Sequence, residues 1–334
     1  MPMKFNETIG IDVSKYTIDV SIHTLKKHKC FKNENEGFKL MIKWIESFSV
    51  KAFSEILFAF EHTGLYSLPL SVFLTEQNFS YILIPGLELK RSMGITRGKD
   101  DKTDSREIAL YAYRRREEII PYQLPSKNLL KIRRLLSLRE RIVKQCAGYK
   151  ATLREMRRSV SETDHVIYFE INEKLINDLT EQVLKIEKEL LRVVKEDEEL
   201  KQLYKLIISV KSVGMHTALY MIAYTNGFTL FENARKFASY AGIAPFPYKS
   251  GISISGRNKI HPFANKKFKS LLGNCATNAL IYNTEMRLFY ERRIKEGKDK
   301  MSTMNIVRNK ILGRIFAVVK RRQAYVDTFA YAAK

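Results

Sequence analysis

Along the first 85 residues the apolar positions recur with two periods, and each change of period marks an element. Residues 7–14 and 17–23 alternate as strands do, with a short turn at Lys15-Tyr16 between them, and Lys29–Lys32 supplies a third, antiparallel strand. Over Gly37–Phe48 the period lengthens: Phe38, Leu40, Met41, Trp44 and Ile45 fall at helical spacing. The run Glu55–Phe60 predicts a strand, Tyr66–Gln77 a helix, and Tyr81–Ile84 a strand that stops at Pro85. From Asp101 to Arg116 the pattern is again helical, with Ile108, Tyr111 and Ala112 on one face.

After the proline-bounded linker Pro121–Pro125 the character changes. Lys127–Arg158 holds eleven Lys or Arg against two Glu, interleaved with Leu129, Leu130, Ile132, Leu135, Leu136, Leu138, Ile142 and Val143, which predicts one long, basic, amphipathic helix. A second helix over Asn172–Glu196 sets Leu179, Val183, Ile186, Leu190 and Val193 at spacings of four and three, the seam of a coiled coil. The remainder reads as mostly helical: helix, glycine turn and helix over Leu206–Tyr224, a short helix at Phe231–Ala241, and helices at Lys266–Tyr282, Thr284–Glu296 and Met304–Arg322. Within the first of these, His216 reads as a capping or packing residue. The stretch Tyr248–Lys259, punctuated by Gly251 and Gly256, is expected as a polar loop.

Three hairpin-like strands, a helix, then strand, helix and strand is the order of an RNase H-like (RuvC-like) α/β domain, although many α/β folds begin similarly. Three domains are therefore expected: residues 1–120, the α/β layer; 121–203, the basic helical coiled coil; and 204–334, a mostly α-helical domain.

Charge narrows the class. Fifty-eight Lys and Arg against 36 Asp and Glu leave a net +22, spread along the chain. Nucleic acid explains this best, because neutralising phosphates releases counterions. The three cysteines, Cys30, Cys146 and Cys275, stand far apart with no Cys-x-x-Cys, which argues against a zinc site or a disulfide framework. No apolar run approaches the roughly 18 residues of a membrane span, so a cytoplasmic protein with no membrane partner is expected.

Against that basic background four acids stand out. Asp12 interrupts the apolar run Ile9–Val13 and Glu61 ends the run Ile56–Phe60, so both put a charge where a strand is normally buried. An unpaired buried carboxylate is costly and calls for a partner such as a divalent cation. Asp101 and Asp104, three residues apart, share a helix face and can reach one site together. Acids also favour a solvated first helical turn, and Asp12 and Glu61 are what tip the reading towards a site. In the stretch Tyr248–Lys259, serines, glycines and basic residues coincide, and glycine lets backbone approach a ligand closely.

With these residues in view the chain resembles, almost end to end, the DEDD-type transposases and site-specific recombinases of the Piv-like, insertion-sequence one-ten group, bridge-RNA-guided recombinases. Gly10-Ile11-Asp12-Val13-Ser14-Lys15 is similar to the family's opening strand, and Phe60-Glu61-His62-Thr63-Gly64-Leu65-Tyr66 to its second acidic motif. Ile84-Pro85 with Lys90 resembles the strand and basic helix that follow. The third motif, Lys-Thr-Asp-x-x-Asp-Ala with Ile-Ala three residues on, lies over Lys99–Ser105 with Ile108-Ala109 in register, making Asp101 and Asp104 the acids. A second register would use Asp104 and Glu107. Ser209–Gly214 resembles Ser-Ile-Pro-Gly-Ile-Gly, with Lys211 and Ser212 in place of Pro and Gly, and Tyr240–Pro245 resembles Tyr-Ala-Gly-Leu-x-Pro. Ser250-Gly251-Ile252-Ser253 followed by Gly256 matches the segment that carries the family's serine nucleophile, with Ser250 the first choice and Ser253 the reserve. Pro262–Asn265 departs from the family's Lys-x-Gly-Asn.

The resemblance implies a metal-dependent DNA transposase/recombinase. Asp12, Glu61, Asp101 and Asp104 would hold Mg²⁺, as two ions roughly 3.5–4 Å apart. Ser250 would attack the phosphodiester. Expected partners are double-stranded donor and target DNA, a structured non-coding (bridge) RNA, and further copies of the chain as a dimer or tetramer. Acids and serine fall in different domains, so a composite site is expected. Candidate nucleic-acid contacts are Lys15, Lys90, Arg133, Arg134, Lys211, Arg257 and Lys259, with Arg91 and Arg97 on the basic surface near Lys90. Two rivals are a Holliday-junction-type endonuclease, which needs the acids but no serine, and a non-catalytic nucleic-acid binder.

Overall fold

Five strands form one mixed sheet in the order β3-β2-β1-β4-β5. They are β1 (Glu7–Val13), β2 (Thr17–Ile22), β3 (Lys27–Lys32), β4 (Ile56–Glu61) and β5 (Tyr81–Ile84). β1, β2 and β3 pair antiparallel, whereas β4 lies parallel to β1 and β5 parallel to β4. The structure is a computed structural model that describes residues 5–48, 52–93, 100–250, 254–260 and 264–327; the side chains of residues 93, 247–250, 254, 255 and 257–259 stand outside that description. The chain divides into two compact units, Met1–Leu124 and Pro125–Lys334.

In the first unit the two-residue period of β1 sorts its side chains onto opposite faces of the sheet. Ile9, Ile11 and Val13 join Phe58, Phe60 and the helices α1 (Asn35–Phe48) and α2 (Leu68–Glu76) in a core of large side chains that includes Phe38, Met41, Leu70 and Leu74. The other face carries α4 (Asp101–Arg115), preceded by α3 (Gly86–Met93). There β1 and β2 present small or polar residues. Thr8 Oγ1 donates to the Ala109 carbonyl at 2.9 Å, and Ser21 and Ser105 share a hydrogen bond at 2.8 Å. A Cβ on Gly10 would stand 2.1 Å from the Ser105 carbonyl oxygen, so only glycine lets α4 settle this close. Larger residues, Leu57, Ile82, Ile84 and Ile108, fill the half of this face over β4 and β5.

The second unit is built on two long helices, α5 (Lys127–Ser159) and α6 (Val166–Glu196). They run antiparallel: ion pairs join Lys131 to Glu189, Arg139 to Glu187 and Arg157 to Glu173. Their inner stripes, Leu129, Ile132 and Leu136 on α5 and Ile186, Leu190 and Val193 on α6, are buried in one core with the later helices. These are α7 (Glu198–Ser209), α8 (Met215–Tyr224), α9 (Ala234–Tyr240), α10 (Lys266–Tyr282), α11 (Thr284–Lys295) and α12 (Lys300–Arg321). Side chains cap most of their starts: Asp197 accepts from Leu200 N, Asn283 from Met286 N and Asp299 from Ser302 N. Each such cap contributes about 1 kcal/mol. His216 packs as expected, its Nε2 lying 2.9 Å from Glu187.

The structure differs from the sequence pattern in three places. The stretch expected as a polar loop is a β-hairpin of β6 (Phe246–Ser250) and β7 (Ile254–Lys259), with Ser250 paired to Ile254 at its closed end. Residues 251–253 between the two strands lie outside the described residues, and the polar and glycine positions of the strands themselves hide the alternation. α6 begins at Val166, not Asn172, because tertiary packing of Phe169 extends a segment whose residues favour strands. α3 is too short and polar to stand out by periodicity.

Candidate active site

The strand register brings two of the four acids together. Ile11 pairs with Phe60, so Asp12 and Glu61 occupy the next positions on neighbouring parallel strands, where β1 and β4 end. On the other side Asp12 pairs with Asp19 of β2. The first turn of α4, which carries Asp101 and Asp104, belongs to the helix that covers this face of β1 and β2. Asp12 is half-buried, Asp104 half-buried and Asp101 exposed.

Electrostatics records the crowding. The Asp12 carboxyl is pushed up to about 6, first by burial and then by the charges of Asp101, Asp104, Asp19 and Glu61. Asp19 has a partner, His28 Nε2 at 2.8 Å. Among the described residues no ion pair or hydrogen bond reaches the carboxylates of Asp12, Glu61, Asp101 or Asp104. Gly86, at the start of α3, leaves room for Glu61: a Cβ there would stand 2.0 Å from its Oε1. Glu107, the acid of the second register, has its carboxyl raised by burial and by Asp104, and it lines a cavity of about 300 Å³ with Ser92, Tyr111 and Arg114.

The donor set suits a hard divalent cation, being all carboxylate oxygen, with no lysine or arginine paired to it among the described residues. Among the described residues no three acid, His or Cys side chains already converge on one point as metal ligands. Closing a shell therefore requires rotation of Asp101 and Asp104, which the exposed first turn of α4 leaves free.

Sequence reasoning missed Asp19 and Gly86. Asp19 carries no separate signal in the sequence: Thr17, Asp19 and Ser21 alternate with Ile18, Val20 and Ile22 as on any strand with one wet face, and it is the sheet order that shows the face to be covered. Ser250 contributes its backbone to β6, its side chain lying outside the described residues, and Ser253 lies wholly outside them.

The candidate nucleic-acid contacts fall into different settings. Lys15 is exposed, its ammonium 4.7 Å from the Tyr16 ring centre, and Lys90 and Arg134 are exposed. Arg133 is half-buried; its Nε donates to the Ala223 carbonyl at 2.8 Å and its guanidinium covers Tyr224. Lys211 pairs with Asp327. Arg133 and Lys211 thus have partners inside the second unit. Arg257 and Lys259 belong to β7 with side chains outside the described residues, and Arg97 lies outside them.

The chain is similar to known proteins over most of its length. Residues 9–162 match a family model described as a transposase, and residues 204–291 match the model of the transposase IS116/IS110/IS902 family. The chain is 24% identical over 323 residues to the pilin gene-inverting proteins of Moraxella bovis and Moraxella lacunata, covering 95% of its own length and 97% of theirs. It is 26% identical over 122 residues, 36% of this chain and 30% of the relative, to the insertion element IS110 uncharacterized 43.6 kDa protein of Streptomyces coelicolor. By class, then, this is a transposase. It belongs to the IS110 family of transposases and recombinases, whose work implies DNA as partner and, in a DEDD-type family, a divalent metal. No helix among the described residues is long and apolar enough to cross a membrane.

Proposed function

We propose that the protein exchanges DNA strands through a covalent link to Ser250, assisted by Mg²⁺ held on Asp12, Glu61, Asp101 and Asp104. The observation that carries this reading is the juxtaposition of Asp12 and Glu61 at adjoining strand ends, with no counter-charge among the described residues. The strand order and the acid-bearing α4 support an RNase H-like (RuvC-like) reading of the first unit, and the antiparallel α5–α6 pair supports a coiled coil. When bound, the ions would offset the charge that develops on the attacking and leaving oxygens.

Ser250 then supplies the nucleophile. Its Oγ forms a bond to phosphorus as the phosphodiester's bond to one deoxyribose oxygen breaks, and the departing hydroxyl takes up a proton in exchange for the one serine gives up. Bond energy is kept in the phosphoserine ester. Attack by a hydroxyl from the partner strand reverses the step and restores the serine. Placing the serine next to Gly251 supports the approach of a bulky DNA backbone. In this reading a structured RNA partner selects donor and target DNA, and the working unit is a dimer or tetramer.

Incubation of the protein with donor and target DNA and the flanking non-coding RNA should give a covalent protein–DNA adduct that Ser250→Ala abolishes. Asp12→Asn should abolish it too. Full DNA cleavage by the Ser250→Ala variant would leave a resolvase-like nuclease and sink the serine mechanism.

A further inference from the structure

On the face of the sheet that carries the acids, but further along β2, lies a second cavity. Asp19, Ser21 and His23 follow one another on that face at alternate positions, so His23 lies about 13 Å along the strand from Asp19. The cavity, about 270 Å³ and mostly apolar, is floored by Ile22, Ala109 and Leu110 and edged by His23, Lys26 and Arg106.

Two properties mark it as more than a packing fault. Its wall belongs to a run of flat groups: the Arg116 guanidinium lies 3.9 Å from the Tyr113 ring centre, and the Tyr113 ring meets His23 at 4.3 Å with a tilt of 30°. Its rim is cationic without being neutralised, for among the described residues no acid forms an ion pair with Lys26 or Arg106. The acid nearest His23 in its electrostatics, Glu7, is buried and turned to the Thr8 amide and to Thr24. Burial lowers the His23 pKa, and Arg116, Arg114 and Lys26 lower it further against Glu7, which leaves a neutral ring at neutral pH. A neutral ring, an apolar floor and unpaired cations above it are the parts that hold an unstacked base and its phosphate.

We propose that this cavity binds one unpaired nucleotide of a nucleic-acid strand, its base against His23 and its phosphate against Lys26 and Arg106. At about 270 Å³ it is near the lower end of ligand-sized cavities, roughly 300–1,000 Å³, and so takes one ring system and no longer segment. Duplex is excluded, because paired bases present no free face. The site rests on the reading of the protein as a nucleic-acid enzyme only for the class of its ligand. Strand exchange necessarily unpairs bases, and the cavity lies about 13 Å along β2 from Asp19, on the face that carries the acids.

The test is photocrosslinking of the full chain to short oligonucleotides bearing one 5-iodouracil, as single-stranded RNA, single-stranded DNA and duplex DNA. Crosslinked peptides containing His23 or Tyr113 are expected from a single-stranded arm and not from duplex, and the RNA and DNA arms show which strand uses the site. His23→Leu and Arg106→Gln should each weaken single-strand binding about 10-fold while leaving duplex binding unchanged. Arg106 is exposed, so its variant folds even if His23→Leu does not. Crosslinks confined to other segments, or unchanged single-strand affinity in Arg106→Gln, would overturn the proposal. Because the readout is binding, it stands apart from adduct formation: loss of the adduct in Asp12→Asn with normal crosslinking at His23 separates the two readings.

Discussion

Replacing Asp12 with Asn should make the metal-free protein more stable while destroying its chemistry. The folded carboxyl releases its proton at about 6, against an ordinary 3.8, because burial and four neighbouring acids disfavour its charge. Between those two values the folded chain holds a proton that the unfolded chain has already lost, so stability falls as pH rises through the interval and stays lowered above it. The interval of 3.8 to about 6 corresponds to about 3 kcal/mol at ~1.4 kcal/mol per unit. Solvent reaches much of the half-buried group, and screening reduces that to ~1–2 kcal/mol. For a unit of this size the gain is a rise in melting temperature of roughly 3–10 °C for Asp12→Asn at pH 8, shrinking towards zero near pH 4. The assay is thermal unfolding of both proteins across that range without divalent ions, then with Mg²⁺, which should raise the melting temperature of the natural protein more than that of the variant. An Asn variant equal to or less stable than the natural protein at pH 8 would refute the crowding of acids around Asp12.

Other outcomes follow from packing and backbone. Ser212 adopts φ of 71°, a left-handed conformation that costs an L-residue about 1–2 kcal/mol, so Ser212→Gly should raise the stability read from chemical denaturation by a net ~0.5–1 kcal/mol after the entropy of a freer unfolded chain. Gly10→Ala drives a methyl to within 2.1 Å of the Ser105 carbonyl oxygen and 2.3 Å of Ala109 N, both backbone atoms, and should cost about 3 kcal/mol or more while displacing α4; circular dichroism melts and loss of Mg²⁺-induced stabilisation check it. Leu190→Ala, at a fully buried position of α6, should cost about 2–5 kcal/mol in chemical denaturation.

Much of this was legible before the fold was seen, and what was not has local causes. Asp12 and Glu61 announce themselves because a charge closing an apolar run breaks the strand pattern, and their neighbourhood follows once β1 and β4 pair in parallel. Asp19 stays silent, since an acid alternating with Ile18 and Val20 looks like the wet side of an edge strand; only the sheet order, with β3 outside β2, shows that the face is covered. The hairpin of β6 and β7 was obscured because Ser, Gly and Lys carry little strand propensity and β pairing is decided by the partner strand. The seam from Leu179 to Val193 was readable as helix, but the residues it meets on α5 and in the later helices depend on contacts far apart in sequence.

The two sides of the β-sheet are not glued alike, and the proposed site lies on the weaker side. α1 and α2 are held by interlocked Phe, Met and Leu side chains, each worth about 1.5–3 kcal/mol when buried, whereas the β1–β2 half of the α4 interface relies on glycine contact and on hydrogen bonds worth a net ~0.5–1.5 kcal/mol apiece. The first turn of α4 is therefore poised to breathe, and amide hydrogens there should exchange with solvent sooner than those of α1. A cation shared between α4 and the strand ends would latch the helix shut, so that the same four acids set both when the protein is stiff and when it can act.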